Sequence, residues 1–475
     1  MYKRGKSLLL IGLVLMLALF CQGCNTSTSS GSEDTEPSES ISTEIIETET
    51  IETEEVVEDS TEEAETLLAS QAPPMAEIHV WTTTIGNEEY VDALVSVEST
   101  EDSSFNVEKM NSRIKIRGNS SQWIDKKSYN VKFDEKISLL GMDSGKKWSL
   151  LATGYERSLL RTPIGFLYAQ AIGIQYASQF HMVELWINDV YNGVYVLIEP
   201  VQEGKNRVDI DLDTGDFLLE SNFSRKEEGL SYIRTNQGFR FEINEPEEPT
   251  EEQKNAYLKW LNEAEAAIVS MDHTKYENYI DVESFVNYYI YEEVTKNVDF
   301  GNLSTRYYCK DGKLYAGPPW DMDLSMGNVS DRYTERHFRE YHNILGQGLN
   351  NGDSTQGMWA KNRNWFKWLC EDEYFMDLVR DRWRELLPIT YNLYAENDLG
   401  VSRMDYLLNA YKENILRNYT PVEEGGAGWR YDEIVLHFEH YYIYKDYDEC
   451  IAYLRNWLEQ RVAWLNTQFN PIQPR

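Results

Sequence analysis

The hydrophobic period of this chain changes once, near Pro249, and that change limits the folds open to it. Before it, segments 77–81, 112–117, 128–133, 182–187 and 193–198 alternate or run apolar between Gly, Asn and Asp turns, the pattern of strands. A single helical stripe interrupts them, over 158–172, carried by Leu159, Leu160, Ile164, Leu167 and Tyr168. Beyond Pro249 the period is helical over 250–270, 281–295, 365–387, 401–418 and, in pieces, 431–469. Asp281 is placed to N-cap the second of these helices. Glu293 falls among the apolar residues of that same helix, so it either closes a core ion pair or serves a cleft. The expected class is α+β, a β-rich N-terminal lobe followed by a mainly helical C-terminal lobe. About 400 residues beyond the N-terminal region suit two lobes around a cleft.

The stretch Gly317-Pro-Pro-Trp-Asp-Met-Asp-Leu-Ser-Met-Gly-Asn328 carries the clearest chemistry. Asp321 and Asp323, two residues apart, suit one divalent cation. In an extended segment they share one face while Trp320, Met322 and Leu324 take the other. Upstream, two short apolar runs flank Asp311-Gly312 and read as a β-hairpin, and Asp299 precedes it. One aspartate thus enters the hairpin and two leave it. Protein kinases use that order, a catalytic aspartate before the hairpin and a Mg²⁺-binding aspartate after it. A loop aspartate beside Gly or Asn is also ordinary punctuation, and for Asp299 that structural reading stays open.

The N-terminus has Lys3, Arg4 and Lys6, then an apolar run of thirteen residues from Leu8 to Phe20, then Cys21-Gln-Gly-Cys24. The run is too short to span a bilayer comfortably and reads as a secretory signal over 1–23. Gly23-Cys24 resembles the end of a bacterial lipobox, with lipid on Cys24, although Cys21 stands where Leu is usual. From 24 to 72 the chain is mostly Ser, Thr and Glu and has no Lys or Arg, with fifteen acidic residues from Glu33 to Glu65. Such a segment is an extended, disordered tether. The rest is still acidic in a chain of net charge −35, which disfavours nucleic acid and an anionic membrane surface as partners. Cys309, Cys370 and Cys450 have neither disulfide nor zinc spacing, and the seven histidines form no His-x-x-x-His pair.

Basic residues among the strands are candidates for phosphate contact. Arg113, Lys115 and Arg117 share one face of a strand, and Lys126, Lys127 and Lys132 follow. They could equally neutralise acidic neighbours at a sheet edge. There is no P-loop and no Gly-x-Gly-x-x-Gly; Arg117-Gly-Asn-Ser-Ser121 is the nearest substitute.

Together these residues resemble the CotH kinase family, named for a bacterial spore-coat protein and distantly similar to protein kinases. The resemblance rests on Arg117-Gly-Asn-Ser, Lys126-Lys-Ser-Tyr-Asn-Val-Lys132, Lys147-Trp-Ser-Leu-Leu-Ala152, Leu160-Arg161, Asn188-x-x-x-Asn-Gly-Val-Tyr-Val-x-x-Glu199, Asn297-x-Asp299, Gly317-Pro-x-Trp-Asp-x-Asp323 and Trp457-x-x-x-Arg461-x-x-Trp464. It implies an atypical protein-kinase-like two-lobe fold, a small lobe over 73–200 and a large lobe over 201–475. Asp299 is then the catalytic aspartate, Asp321 the Mg²⁺ (or Mn²⁺) ligand and Asp323 its assistant. Lys132 meets the phosphates of ATP as co-substrate, with Lys127 and Arg117 close behind. Arg161 pairs with a cleft carboxylate or a phosphate, and Glu199 ends the strand leading to the adenine. Two departures stand out: Ser304 occupies the place of the usual second-metal Asn, with Asn302 nearest, and Glu156 stands where relatives often have Asp.

The resulting expectation is a lipid-anchored, extracytoplasmic kinase acting on Ser or Thr of secreted or surface proteins, touching the membrane through its N-terminal lipid only. The alternatives are a catalytically idle surface binding module and, more remotely, a glycoside hydrolase using Asp299 with Asp321 or Glu293.

Overall fold

The structure, a computed structural model, describes residues 72–99, 102–118, 120–222, 231–328, 354–430 and 444–470. The signal segment, Cys24, the acidic tether and the helical reading of 431–443 lie outside the described residues. Among the described residues no helix is long and apolar enough to cross a membrane.

Seven strands close a barrel: β1 (Ala76–Thr82), β2 (Val91–Glu98), β3 (Val107–Arg117), β4 (Ser128–Ile137), β5 (Gly145–Leu151), β6 (Phe180–Ile187) and β7 (Val190–Ile198). Their order is β1-β2-β3-β4-β5-β7-β6, and a parallel pairing of β1 with β6 shuts the cylinder. Alternation fills it, since Val80, Val95, Ile114, Val131, Trp148, Leu150, Val183, Leu185, Tyr195 and Leu197 all point inward and are buried. On the outer face of β3 and β4, Lys115 pairs with Asn130, Arg117 with Ser128 and Arg113 with Lys132. Between β5 and β6 runs α1 (Arg161–Ala171).

A second, five-stranded sheet follows, ordered β12-β11-β8-β10-β9. It is built from β8 (Phe217–Ser221), β9 (Tyr232–Arg234), β10 (Arg240–Glu245), β11 (Arg306–Lys310) and β12 (Lys313–Ala316). The β11–β12 turn is the expected hairpin, with Asp311 and Gly312 both at positive φ, 51° and 74°. The helices are α2 (Glu251–Val269), the short α3 (His273–Tyr276), α4 (Val282–Thr295), the short α5 (Phe366–Leu369), α6 (Glu373–Tyr391), α7 (Arg403–Tyr419) and α8 (Tyr447–Phe469). Thr250 and Gln253 form a capping box on α2, and Asp281 caps α4 by accepting from the Ser284 N–H. The run expected over 365–387 is two helices, because Asp372 caps a new start and accepts from Tyr374 N.

One expectation is corrected. The N-terminal β-structure is a closed barrel and not the small lobe of a two-lobe kinase. Beyond residue 200 the chain is mainly helical, and a five-stranded sheet that includes the expected hairpin lies within it. The fold shown is mixed α and β.

Within the helical layer α4 is buried from Phe285 to Thr295. Glu293 proves to be the core ion pair: it meets Arg461 of α8 at 2.9 Å with both side chains fully buried, and it accepts from Trp359, Ala360 and Lys361 N–H groups.

Candidate functional site

The outer face of β3–β4 and one face of the second sheet form opposite walls of a polar cleft of about 400 Å³. The barrel contributes Lys115, Arg117, Ser128 and Asn130 to its lining. The sheet contributes a row in register, Glu242 on β10 opposite Glu220 on β8 opposite Arg306 on β11. Asp299, Ser304, Asp321 and Asp323 complete it.

The two aspartates do not sit on a strand. Asp321 takes a left-handed conformation (φ 62°, ψ 59°) and a 3-10 turn follows over Met322–Leu324. The partition expected from an extended segment survives this change: Trp320, Met322 and Leu324 are buried, Asp321 is exposed and Asp323 half-buried. Apolar burial drives the turn, and the carboxylates are left to the cleft.

Asn297 ties the aspartate segments together. Its amide donates to the carbonyls of Trp320 and Asp321, and its Oδ1 accepts from Asp299 N at 3.1 Å. Asn328 holds the Asp323 carbonyl at 2.6 Å, and Arg363 holds the Phe300 carbonyl at 2.6 Å. The loop bearing Asp299 is thus pinned on both sides.

Carboxylates crowd one another in this site. Burial pushes the Asp323 carboxyl well above the usual carboxylate range, and the charges of Asp321, Glu156 and Asp299 push it further. Arg117 and Arg306 both lie over the Trp320 indole, at 5.1 and 4.6 Å from its centroid. Burial pulls the Arg117 guanidinium down, and Asp321 opposes that pull. Arg306 spends one amino group on Glu220 at 3.0 Å, while its buried Nε and Nη1 have no partner. Two unpaired donors beside clustered carboxylates suit an anion and a hard cation held together.

Asp299, Asp321 and Asp323 give the cleft hard oxygen donors, the set that Mg²⁺ or Mn²⁺ takes. Asn302, three residues after Asp299, is 2% exposed, and neither its Oδ1 nor its Nδ2 has a partner. Ser304, at the place of the usual second-metal Asn, lines the cleft and donates to Asp321 Oδ2 at 3.3 Å.

Of the expected site residues, Arg117, Asp299, Asp321 and Asp323 come together; five others do not line the cleft. Lys132 is on the correct face of β4 but one step further along, in a row with Arg113 and Lys147. Lys127 caps the Gln122 and Ile124 carbonyls. Arg161 is buried at the start of α1, bound to Glu156 at 3.2 Å and to the Ser325 carbonyl at 3.1 Å, so it braces the aspartate segment from behind. Glu199 faces Arg207 at 3.9 Å, with both side chains buried. Asn302 lies behind the Asp299 loop, its backbone N–H on the Asp299 carbonyl. Sequence reasoning missed Arg306, Glu220 and Glu242. The available signal was a charged residue placed just before Tyr307, Tyr308 and Cys309 at the start of the strand Arg306–Lys310.

A family model described as CotH kinase protein matches residues 114–465. The chain belongs to the CotH kinase family. The match takes in the cleft lining from Lys115 to Leu324, all of it but Asn87, and continues to α8, where Arg461 holds Glu293. No curated protein is detectably similar to this CotH chain.

Proposed function

We propose that the cleft binds a nucleoside triphosphate with a divalent cation and transfers its terminal phosphoryl group to a hydroxyl, on an atypical kinase-like scaffold. The observation that carries this reading is Arg306, whose buried Nε and Nη1 have no hydrogen-bond partner among the described residues, in one cleft with Asp321 and Asp323: phosphate-binding donors beside a cation-binding acceptor pair. Family membership supports the kinase-like class.

Asp321 and Asp323 would hold Mg²⁺, which when bound neutralises phosphate charge and lets Asp323 ionise. Arg306 and Arg117, stacked on Trp320, meet the phosphate oxygens with fixed donors. Lys115, Asn130 and Glu242 line the opposite reach of the cleft, where the rest of the nucleotide fits. Asp299, on its pinned loop, orients the acceptor hydroxyl and takes its proton. Positioning and electrostatics supply most of the rate, as phosphoryl transfer requires. Serine or threonine of secreted or surface proteins is the acceptor this reading favours, because the N-terminal signal and Gly23-Cys24 point to a lipid-anchored, extracytoplasmic protein.

The test is transfer of labelled γ-phosphoryl from ATP to dephosphorylated casein, a generic serine acceptor, by the full chain and by Asp299→Asn. The expected result is metal-dependent labelling that falls by about 10²-fold or more in the variant. Labelling equal in both would remove Asp299 from the mechanism. No labelling with intact ATP binding would leave the cleft a nucleotide-binding module.

A further inference from the structure

A second cavity of about 420 Å³ lies on the other side of the Thr153–Gly154 turn, between the segment following β3, the turn before α1 and the end of α7. Its wall holds a buried ammonium and, among the described residues, one buried amide donor that has no acceptor. Lys126 is 6% exposed; its Nζ donates to the Val194 carbonyl at 2.5 Å and sits 4.7 Å from the Tyr195 ring centroid. Asn418, 1% exposed, spends its Oδ1 on Val194 N at 3.0 Å, which leaves its Nδ2 buried and without a partner. Leaving such a donor unpaired is costly, so the site suits something that accepts. The one deeply buried carboxylate in the wall, Glu156, is already committed to Ser158 and Arg161. Asp125 and Arg430 stand exposed at the rim and Arg157 is half-buried. Ile124, Leu159 and Trp429 make the remaining surface apolar, with the Trp429 indole fixed by its N–H on the Asn192 carbonyl at 2.8 Å.

We infer that this pocket is a second binding site, for a small carboxylate with an apolar body. One ammonium and one amide donor match the two oxygens of a carboxylate, and the indole and aliphatic walls match a ring or short chain. A phosphate dianion would ask for more charge than the interior supplies and would waste the apolar wall. Burial pulls the Lys126 ammonium down to about 7, the attraction of Glu156 opposing the shift and the repulsion of Arg157 adding to it. The inference does not rest on phosphoryl transfer, and it concerns a different cavity.

Benzoate is the probe, titrated calorimetrically into the full chain, with benzyl alcohol as its neutral counterpart and inorganic phosphate as a competitor. Asn418→Asp retains an acceptor for Val194 N while replacing the orphaned donor by a negative charge. Lys126→Met removes the cation. Thermal melts establish that each variant folds, and Asn418→Asp decides alone if Lys126→Met does not. The expected result is saturable benzoate binding that weakens about tenfold or more in each folded variant. Asp321→Ala leaves it unchanged, benzyl alcohol does not saturate, and phosphate does not compete. The proposal is overturned by benzyl alcohol binding as well as benzoate, by benzoate binding undiminished in the variants, by phosphate displacing it, or by no saturable binding to the wild-type chain.

Discussion

At the scale of the residue, the cleft turns on groups whose chemistry is unfinished without a ligand. Arg306 has a salt bridge for one amino group and nothing for the other two donors. Arg306→Met should therefore weaken ATP binding by about tenfold to a hundredfold with little loss of fold, read by calorimetry and by thermal melting. Sequence reasoning did not weigh Arg306 because a lone arginine beside a hairpin looks like an edge charge. Only the pairing of β11 with β8 reveals that it faces Glu220. Glu199 errs in the other direction: the expected adenine contact is a buried pair with Arg207 in which Glu199 Oε1 and Arg207 Nη2 make no hydrogen bond. Burial raises Glu199 to about 7 despite Arg207 and pulls Arg207 down, so desolvation outweighs attraction for both partners. The folded state then keeps a proton that the unfolded chain has already released. Its contribution to stability is present below about pH 4.5, the unperturbed value, and is lost as pH rises through about 7. Urea unfolding of Glu199→Gln, set against wild type, should remove a pH-dependent loss on the order of 2–3 kcal/mol between pH 5 and 8. Parallel pH profiles would contradict it.

Among the elements, those legible in the sequence were closed by local chemistry. Thr250 with Gln253 starts α2, Asp281 starts α4, and Asp311-Gly312 turns the hairpin. Elements whose boundaries depend on distant partners were missed, β2 and β8 to β10 among them, since short strands of mixed polarity acquire their face only on pairing. Glu293 shows how far a helical stripe carries: it places a carboxylate inside but does not name Arg461, 168 residues away. Arg461→Met strands that charge between α4 and α8 and should cost about 3–5 kcal/mol in urea unfolding. A cost below about 1 kcal/mol would mean that the Trp359, Ala360 and Lys361 N–H groups alone satisfy Glu293. Where β7 meets the end of α7, Gly193 has φ 98° and an added Cβ would lie 2.3 Å from Asn418 Oδ1. Gly193→Ala should lower stability by about 1–3 kcal/mol, through backbone strain and loss of the Val194–Asn418 hydrogen bond. Melting temperatures of the two chains measure it.

On the scale of the whole molecule, the aspartate motif was readable and the walls around it were not. Barrel closure depends on β1 pairing parallel with β6 across a separation of some hundred residues, which no local pattern specifies. Lys132 illustrates the consequence. The resemblance put it on the phosphates, but register places it beside Arg113 and Lys147, outside the cleft lining. What the fold achieves is to bring a basic barrel face and an acidic, Arg306-bearing sheet face together over Asp299, Asp321 and Asp323. On the proposed function, this cleft takes a metal-bound nucleoside triphosphate. Calorimetric titration of ATP into the full chain, with and without Mg²⁺ and beside Asp321→Ala, tests it most directly. Saturable binding that needs Mg²⁺ and disappears in the variant is the predicted result; no binding, or binding indifferent to both metal and Asp321, would contradict it.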